Sequence, residues 1–131
     1  GRKLLLKVSD IMLTGSDIPL IKPTATVAQA LLEISQKGLG MTGIVNESGK
    51  LTGVFTDGDL RRILDARVDL HEATVSDVMT LGGKTTTADQ LAVEALNVME
   101  SFKISALMVL DDNDHPVGAF NMHMLLKAGV L

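Results

Sequence analysis

Residues 53–62, Gly-Val-Phe-Thr-Asp-Gly-Asp-Leu-Arg-Arg, bring together polar groups that could bind a small molecule. The pattern predicts the end of a buried strand, a tight turn and the start of a helix. Such a junction offers backbone N–H groups and the positive end of a helix dipole to an anion. Thr56 adds a hydroxyl, Asp59 a carboxylate, and Arg61 and Arg62 two guanidinium groups. The stretch therefore fits a site for an anionic or hydroxyl-bearing ligand.

A capping box is the alternative explanation of Thr56 and Asp59. In that arrangement each side chain accepts a hydrogen bond from the backbone N–H of the other residue. The two roles are compatible, because a carboxylate has about four lone-pair sites. Arg62 could pair with a phosphate or lie in solvent. For Arg61 we favour solvent, because consecutive helical residues point about 100° apart.

Composition limits the classes of function. The 131 residues suit one domain, and 46% hydrophobic with 21% charged residues is ordinary for a globular protein. The net charge of −4 and the absence of Trp and Tyr argue against nucleic acid as a partner. No apolar run reaches the roughly 20 residues of a membrane-spanning helix, so we expect no membrane partner. The lack of Cys fits a cytoplasmic location. The three His match no metal motif, and we expect no tightly bound cofactor.

The chain contains two copies of one unit. Val-Ser-Asp-Ile-Met at 8–12 recurs as Val-Ser-Asp-Val-Met at 75–79, 67 residues later, and downstream the spacing becomes 65. Pairs at the second spacing are Ala30 with Ala95, Leu31 with Leu96, Ile44 with Val109, Gly53 with Gly118, Phe55 with Phe120 and Leu60 with Leu125. Two copies are too few for a solenoid, so they predict a pseudo-twofold pair.

Periodicity predicts the same elements in both copies. After a short opening helix, each copy has the order β-α-β-β-α, which indicates an α+β, sandwich-like fold. In copy one we predict an extended segment 18–22, a helix 27–37, strands 41–46 and 51–55, and a helix 57–66. In copy two we predict an extended segment 84–87, a helix 89–102, strands 106–110 and 116–120, and a helix 122–127.

This repeated order, with Gly-x-x-Thr-x-x-Asp at 53–59, resembles the CBS domain family. The resemblance covers residues 8 to about 126, and we expect repeats at 8–70 and 71–131. CBS domains occur in tandem pairs, and the clefts between the copies bind adenosyl compounds and other nucleotides. The resemblance implies that Asp59 holds ribose hydroxyls and that Thr56 lies near phosphate or ribose.

Further site residues follow from the same resemblance. Thr42 and Gly43 would lie near the base, where a small residue lets a planar ring approach the backbone. Ile18 and Leu20 would line the cleft, although they suit an ordinary core equally well. Asp57 and Arg62 complete the nucleotide-binding set.

Copy two provides an internal comparison. Asn121 and Met124 stand where copy one has Thr56 and Asp59, so a cap is retained and the ribose-binding carboxylate is lost. Asn121, His123 and Met108 are the candidates for the second cleft. We therefore expect the ribose site in copy one.

Several phrases, at 1–6, 40–42, 55–62, 91–96 and 125–130, resemble the C-terminal region of bacterial arabinose-5-phosphate isomerases. These enzymes join an N-terminal sugar isomerase (SIS) domain to a CBS pair. They interconvert ribulose 5-phosphate and arabinose 5-phosphate for the lipopolysaccharide sugar Kdo. The resemblance implies that residues 1–7 are a linker from an isomerase domain of the same chain and that residues 8–131 are not catalytic.

Two functions fit this resemblance. In the first, the pair regulates the isomerase by binding a nucleotide effector, such as an adenine nucleotide or the sugar nucleotide CMP-Kdo. In the alternative, it is a ligand-free structural dimerisation module. In both, we expect a homodimer through the CBS pairs and a higher homo-oligomer of the parent enzyme.

Overall fold

The computed structural model describes residues 5–130, which form two compact units. We call Pro19–Gly83 the contiguous unit, and residues 5–18 together with 84–130 the split unit. The predicted β-α-β-β-α order is confirmed in both copies. The elements of the contiguous unit are β1 (Leu20–Ile21), α1 (Val27–Lys37), β2 (Met41–Val45), β3 (Leu51–Thr56), α2 (Asp57–Asp65) and α3 (Val75–Val78). Those of the split unit are 3₁₀ turns at Val8–Asp10 and Gly15–Asp17, β4 (Thr85–Thr86), α4 (Ala92–Phe102), β5 (Ala106–Leu110), β6 (Pro116–Asn121) and α5 (Met122–Lys127).

The contiguous unit is built on a sheet with strand order β1-β2-β3. β1 is parallel to β2, and β3 is antiparallel to it. α1 buries Val27, Ala30 and Ile34, the apolar stripe that the sequence predicts. Thr26 caps this helix, and Gly38 ends it in the left-handed conformation with φ 76°. Local sequence signals therefore set both ends of α1.

The split unit repeats this sheet with the order β4-β5-β6. Its helix α4 begins at Ala92, three residues after the predicted start at Asp89. The reason is a backbone pairing with the opening segment, in which Lys7 forms an antiparallel bridge with Leu91. The Ala92 N–H donates to the Leu6 carbonyl at 2.7 Å, so the chain before Ala92 is held extended. Leu5 to Lys7 of the predicted linker are described, whereas residues 1–4 and 131 lie outside the described residues.

Each unit contains the opening segment of the other copy. Val8 is fully buried in the core of the split unit, together with side chains of α4, β5 and β6. Val75 is fully buried in the core of the contiguous unit, together with side chains of α1, β2 and β3. The corresponding bridges are Lys7 with Leu91 and Thr26 with Thr74. The opening segment of copy two thus adds to the sheet and the core of the contiguous unit, which contains most ligand-site candidates of copy one.

Candidate functional site

The centre of the candidate site is the carboxylate of Asp59, in the first turn of α2. Thr56 is the N-cap of this helix, with extended backbone angles of φ −127° and ψ 174°. The Thr56 N–H donates to Asp59 Oδ2 at 3.0 Å, and the Asp59 N–H donates to Thr56 Oγ1 at 3.4 Å. The Thr56 hydroxyl also lies 3.3 Å from Asp59 Oδ2. The capping box is therefore formed, and it uses one of the two carboxylate oxygens.

The other oxygen, Oδ1, is held by residues that the box does not include. The Thr80 hydroxyl donates to it at 2.7 Å, and Arg62 Nη2 lies 3.1 Å from it. Arg62 Nη2 also donates to the Val78 carbonyl at 3.0 Å. Asp59 is only 4% exposed, so its charge depends on these donors because it has little contact with water.

The two donors to Oδ1 differ in their freedom to move. The backbone of Thr80 is fixed to β3, since its N–H donates to Val54 O at 2.8 Å and its carbonyl accepts from Val54 N–H at 3.0 Å. The Arg62 side chain is 60% exposed and reaches Asp59 across one helical turn. Arg62 is thus the donor that can leave without disturbing the backbone.

The remaining predicted residues of copy one take different positions. Thr42 and Gly43 are buried in β2, the central strand, where Thr42 lies opposite Phe55 and Gly43 lies between Leu20 and Val54. Thr56 pairs with Met41, the strand neighbour of Thr42. The strand pairing therefore places the start of α2 next to β2, and β2 next to Leu20 of the edge strand.

Two predicted residues stand apart from this register. Asp57 is exposed, and its Oδ2 lies near the backbone of Gly40. Ile18 is buried, 6% exposed, and belongs to the split unit. The structure thus brings Thr56 and Arg62 each into contact with Asp59 and places Ile18 outside their unit.

The corresponding place in the split unit has lost the polar network. Asn121 caps α5 by accepting the Met124 N–H at 2.9 Å. Met108 is fully buried in β5, and His123 is exposed. In this unit an open, mainly apolar groove of about 280 Å³ is lined by Ile11, Met124, Lys127 and Ala128. These four residues are the counterparts of Val78, Asp59, Arg62 and Ile63.

Thr80 is a site residue that the sequence reasoning missed. Its counterpart is Leu13, at the 67-residue spacing. Asp59 and Thr80 are both polar, whereas their counterparts Met124 and Leu13 are both apolar. This paired change between the copies was the available signal, and it is explained by the hydrogen bond between Thr80 and Asp59.

Two kinds of site are absent from the part of the chain that the structure describes. Residues 5–130 contain no group of three or more His, Asp or Glu side chains placed to hold a metal ion. Within the same residues, each helix is too short or too polar to cross a membrane.

Comparison with known proteins identifies the repeated unit. The model of the CBS domain family matches residues 8–66 and again residues 75–130. The chain is also 53% identical over all 131 residues to arabinose 5-phosphate isomerase KdsD of Pseudomonas aeruginosa. The match lies in the C-terminal part of that enzyme, and the chain spans 40% of its length.

Solved structures agree with the fold. The CBS domain pair of protein MJ0100, in complex with 5′-methylthioadenosine and S-adenosyl-L-methionine, has a TM-score of 0.83 and 22% identity, covering 94% of each chain. CBSX2 in complex with AMP has a TM-score of 0.79 and 21% identity, covering 95% of this chain and 96% of its own. Since the family model covers both copies of the repeat, the chain belongs to the CBS domain family, as a tandem pair of CBS domains.

Proposed function

We propose that this CBS pair is the regulatory module of an arabinose-5-phosphate isomerase and that it binds a nucleotide at Asp59. The relative that is 53% identical is such an isomerase, and the chain matches its C-terminal part. Two structural neighbours were solved with AMP or with adenosyl compounds. The proposed parent chain carries an SIS isomerase domain before residue 1 and works in the cytoplasm.

The observation that carries the proposal is the buried carboxylate of Asp59 at the start of a helix. A carboxylate can accept a hydrogen bond from a ribose hydroxyl. The N-terminus of α2 and the nearby Arg62 favour a negatively charged group beside the sugar. Thr42, Gly43 and Leu20 continue from this point along the sheet register, and we assign them to the side of the base.

Regulation requires that the nucleotide bind two states of the parent enzyme with different affinity. A typical coupling between two sites is about 1–3 kcal/mol, which changes an affinity roughly 5- to 150-fold. An adenine nucleotide is suggested by the ligands of the structural neighbours. CMP-Kdo is the second effector candidate, as a product of the pathway that the isomerase would feed.

Isothermal titration calorimetry of the chain with AMP, ATP, CMP and CMP-Kdo tests the proposal. We expect binding of at least one of these ligands and its loss in Asp59→Asn, which keeps the shape of the side chain and removes the charge. Asp65→Asn is the matched control, because Asp65 is exposed on the same helix. Absence of binding by all four ligands, or equal binding by Asp59→Asn, would contradict a nucleotide site at Asp59.

A second candidate function is a structural dimerisation module without a ligand. It is favoured by large apolar side chains on exposed helix faces, among them Leu64 of α2, 52% exposed, and Leu126 of α5, 48% exposed. These leucines suit a protein interface better than the methionines, since Met41, Met99 and Met108 are buried in the cores.

Analytical ultracentrifugation tests the dimerisation, and the calorimetry described above tests whether a nucleotide is bound as well. A dimer that forms without nucleotide and dissociates in Leu64→Gln or Leu126→Gln supports the structural module. The same variants made in the full-length enzyme would then reduce its higher oligomer. A monomer at all concentrations, in the presence and absence of nucleotide, would exclude it.

A further inference from the structure

We infer that the guanidinium of Arg62 competes with a ribose hydroxyl for Asp59, and that the site consequently selects 5′-phosphorylated nucleotides over nucleosides. This inference rests on the proposed function, because it concerns the ligand class of the same site. It is carried by the contacts of one buried carboxylate and one exposed guanidinium.

Both oxygens of the Asp59 carboxylate already accept hydrogen bonds. Its Oδ2 accepts from the Thr56 N–H and lies within hydrogen-bonding distance of the Thr56 hydroxyl. Its Oδ1 accepts from Thr80 and Arg62. With about four lone-pair sites on a carboxylate, no position is left for a ribose hydroxyl. A ribose can bind Asp59 only if one of these donors is displaced.

Of these donors, the guanidinium of Arg62 is the one that can move away. The N–H of Thr56 is fixed by the helix cap, and the backbone of Thr80 is fixed by two hydrogen bonds to Val54. Arg62 is on a long side chain that is 60% exposed. It can rotate into solvent without any change of the backbone, so its guanidinium is the group that a ribose hydroxyl replaces.

The displacement of Arg62 also removes a positive charge from beside the Asp59 carboxylate. A ribose hydroxyl can replace the hydrogen bond of Arg62, but it cannot replace the positive charge beside a carboxylate that is only 4% exposed. The displaced guanidinium also gives up the Val78 carbonyl, which lies 3.0 Å from its Nη2. A nucleoside offers no anion in compensation. A 5′-phosphate does, since a guanidinium binds phosphate through two parallel hydrogen bonds.

The split unit shows that this arrangement is not a general property of the repeat. Lys127 has the position of Arg62, but Met124 replaces the carboxylate three residues earlier. The surrounding groove is mainly apolar. The combination of a buried carboxylate with a displaceable guanidinium is therefore particular to the contiguous unit.

The test compares nucleotides with their nucleosides at constant ionic strength. Dissociation constants are measured for AMP and adenosine, and for CMP and cytidine, with the unmodified chain, Arg62→Ala and Arg61→Ala. We expect the unmodified chain to bind at least one nucleotide 10-fold or more tightly than its nucleoside. Arg62→Ala should bring this ratio close to one, through weaker nucleotide binding and unchanged or tighter nucleoside binding. Arg61→Ala should keep the ratio.

Thermal unfolding checks that each variant is folded, and Arg62→Gln replaces Arg62→Ala if the latter is not. Equal affinity for nucleoside and nucleotide in the unmodified chain would overturn the inference and leave the nucleotide site intact. A ratio that persists in the Arg62 variant would do the same. Absence of binding by all four compounds would overturn the proposed function and this inference together.

Discussion

At the scale of single residues, the surroundings of Asp59 depend on Thr80, which is 21 positions away in sequence. A buried carboxylate is tolerated only when hydrogen-bond donors replace the water that it has lost. Thr80 provides the shortest of these contacts, at 2.7 Å. A small hydroxyl far from the motif in sequence is thus part of the chemistry of the site.

Thr80→Val should lower the free energy of unfolding by roughly 1–3 kcal/mol, the usual effect of removing a hydrogen bond to a charged group. The change keeps the size of the side chain and takes away only the donor to Asp59 Oδ1. Urea denaturation measures the effect. The control is Thr85→Val in β4, where the residue is exposed and a change within about 0.5 kcal/mol is expected. Equal effects of the two substitutions would show that Asp59 does not depend on Thr80.

At the scale of elements, glycines let the opening segments lie directly on the sheets. A Cβ added to Gly53 in β3 would lie 2.6 Å from Met79 Sδ and 2.9 Å from the Thr80 carbonyl oxygen. Gly118 in β6 has the same relation to Met12 and Leu13. Because the Thr80 carbonyl accepts the Val54 N–H, the backbone cannot move away without loss of a hydrogen bond.

Gly53→Ala should therefore destabilise the protein by about 1–3 kcal/mol, the range for overpacking in a core. Gly58→Ala is the control, since its new Cβ would meet only Thr56 Oγ1, at 3.6 Å, in the first turn of α2. Alanine is the better helix former, so this control should be neutral or stabilising by up to about 1 kcal/mol. Thermal and urea unfolding measure the stability of both variants. Equal stability of Gly53→Ala and Gly58→Ala would contradict the predicted clash at Gly53.

The two β-hairpins close with the same side-chain turn but with different titration behaviour. Asn46 Oδ1 accepts the N–H groups of Ser48 and Lys50, both at 3.0 Å. Its counterpart Asp111 accepts those of Asn113 and His115, both at 2.9 Å. The backbone N–H of His115, followed by that of Asn113, holds the pKa of the Asp111 carboxyl below its ordinary value. Only the hairpin of the split unit therefore contains an acid-sensitive turn.

Asp111→Asn should keep the turn and remove its acid sensitivity. Because the folded-state pKa of Asp111 is lowered, its contribution to stability is present above the unfolded-state value of about 3.9 and is lost as pH falls through the folded-state value. Urea unfolding between about pH 5 and pH 3 should show the unmodified chain losing stability relative to Asp111→Asn. The compared quantity is the free energy of unfolding of the unmodified chain minus that of Asp111→Asn. If this difference stayed constant or increased as pH fell, the assignment would be refuted.

At the scale of the whole molecule, the compact units do not coincide with the repeats as they follow in sequence. Val8 opens copy one in sequence but is buried with α4, β5 and β6. Val75 opens copy two but is buried with α1, β2 and β3. Each core consequently contains the opening segment of one copy and the long helix and strands of the other.

Val75→Ala and Val8→Ala should each cost roughly 1.5–3 kcal/mol, from two lost methyl groups and the resulting cavity. Hydrogen exchange followed by mass spectrometry locates the effect. Val75→Ala should accelerate exchange mainly in α1, β2 and β3, and Val8→Ala mainly in α4, β5 and β6. The two variants are controls for each other, and the reverse pattern would contradict the assignment of the opening segments.

Features that depend on near neighbours can be predicted from the sequence alone. The apolar stripe of α1 and the capping box of Thr56 and Asp59 both depend on residues three or four positions apart. Such interactions are visible in residue type and spacing, because helices and strands have fixed periods. The duplication is visible in the same way, and it distinguishes Asp59 from Met124 by sequence alone.

The distant residues that meet these local motifs are set by the tertiary fold. The pairing of Lys7 with Leu91 delayed the start of α4 to Ala92, and the bridge between Thr80 and Val54 brought a hydroxyl to Asp59. Neither contact follows from spacing, because each depends on how an opening segment packs against a sheet far away in sequence. The physical reason is that a buried backbone group or carboxylate must find a partner wherever the fold provides one.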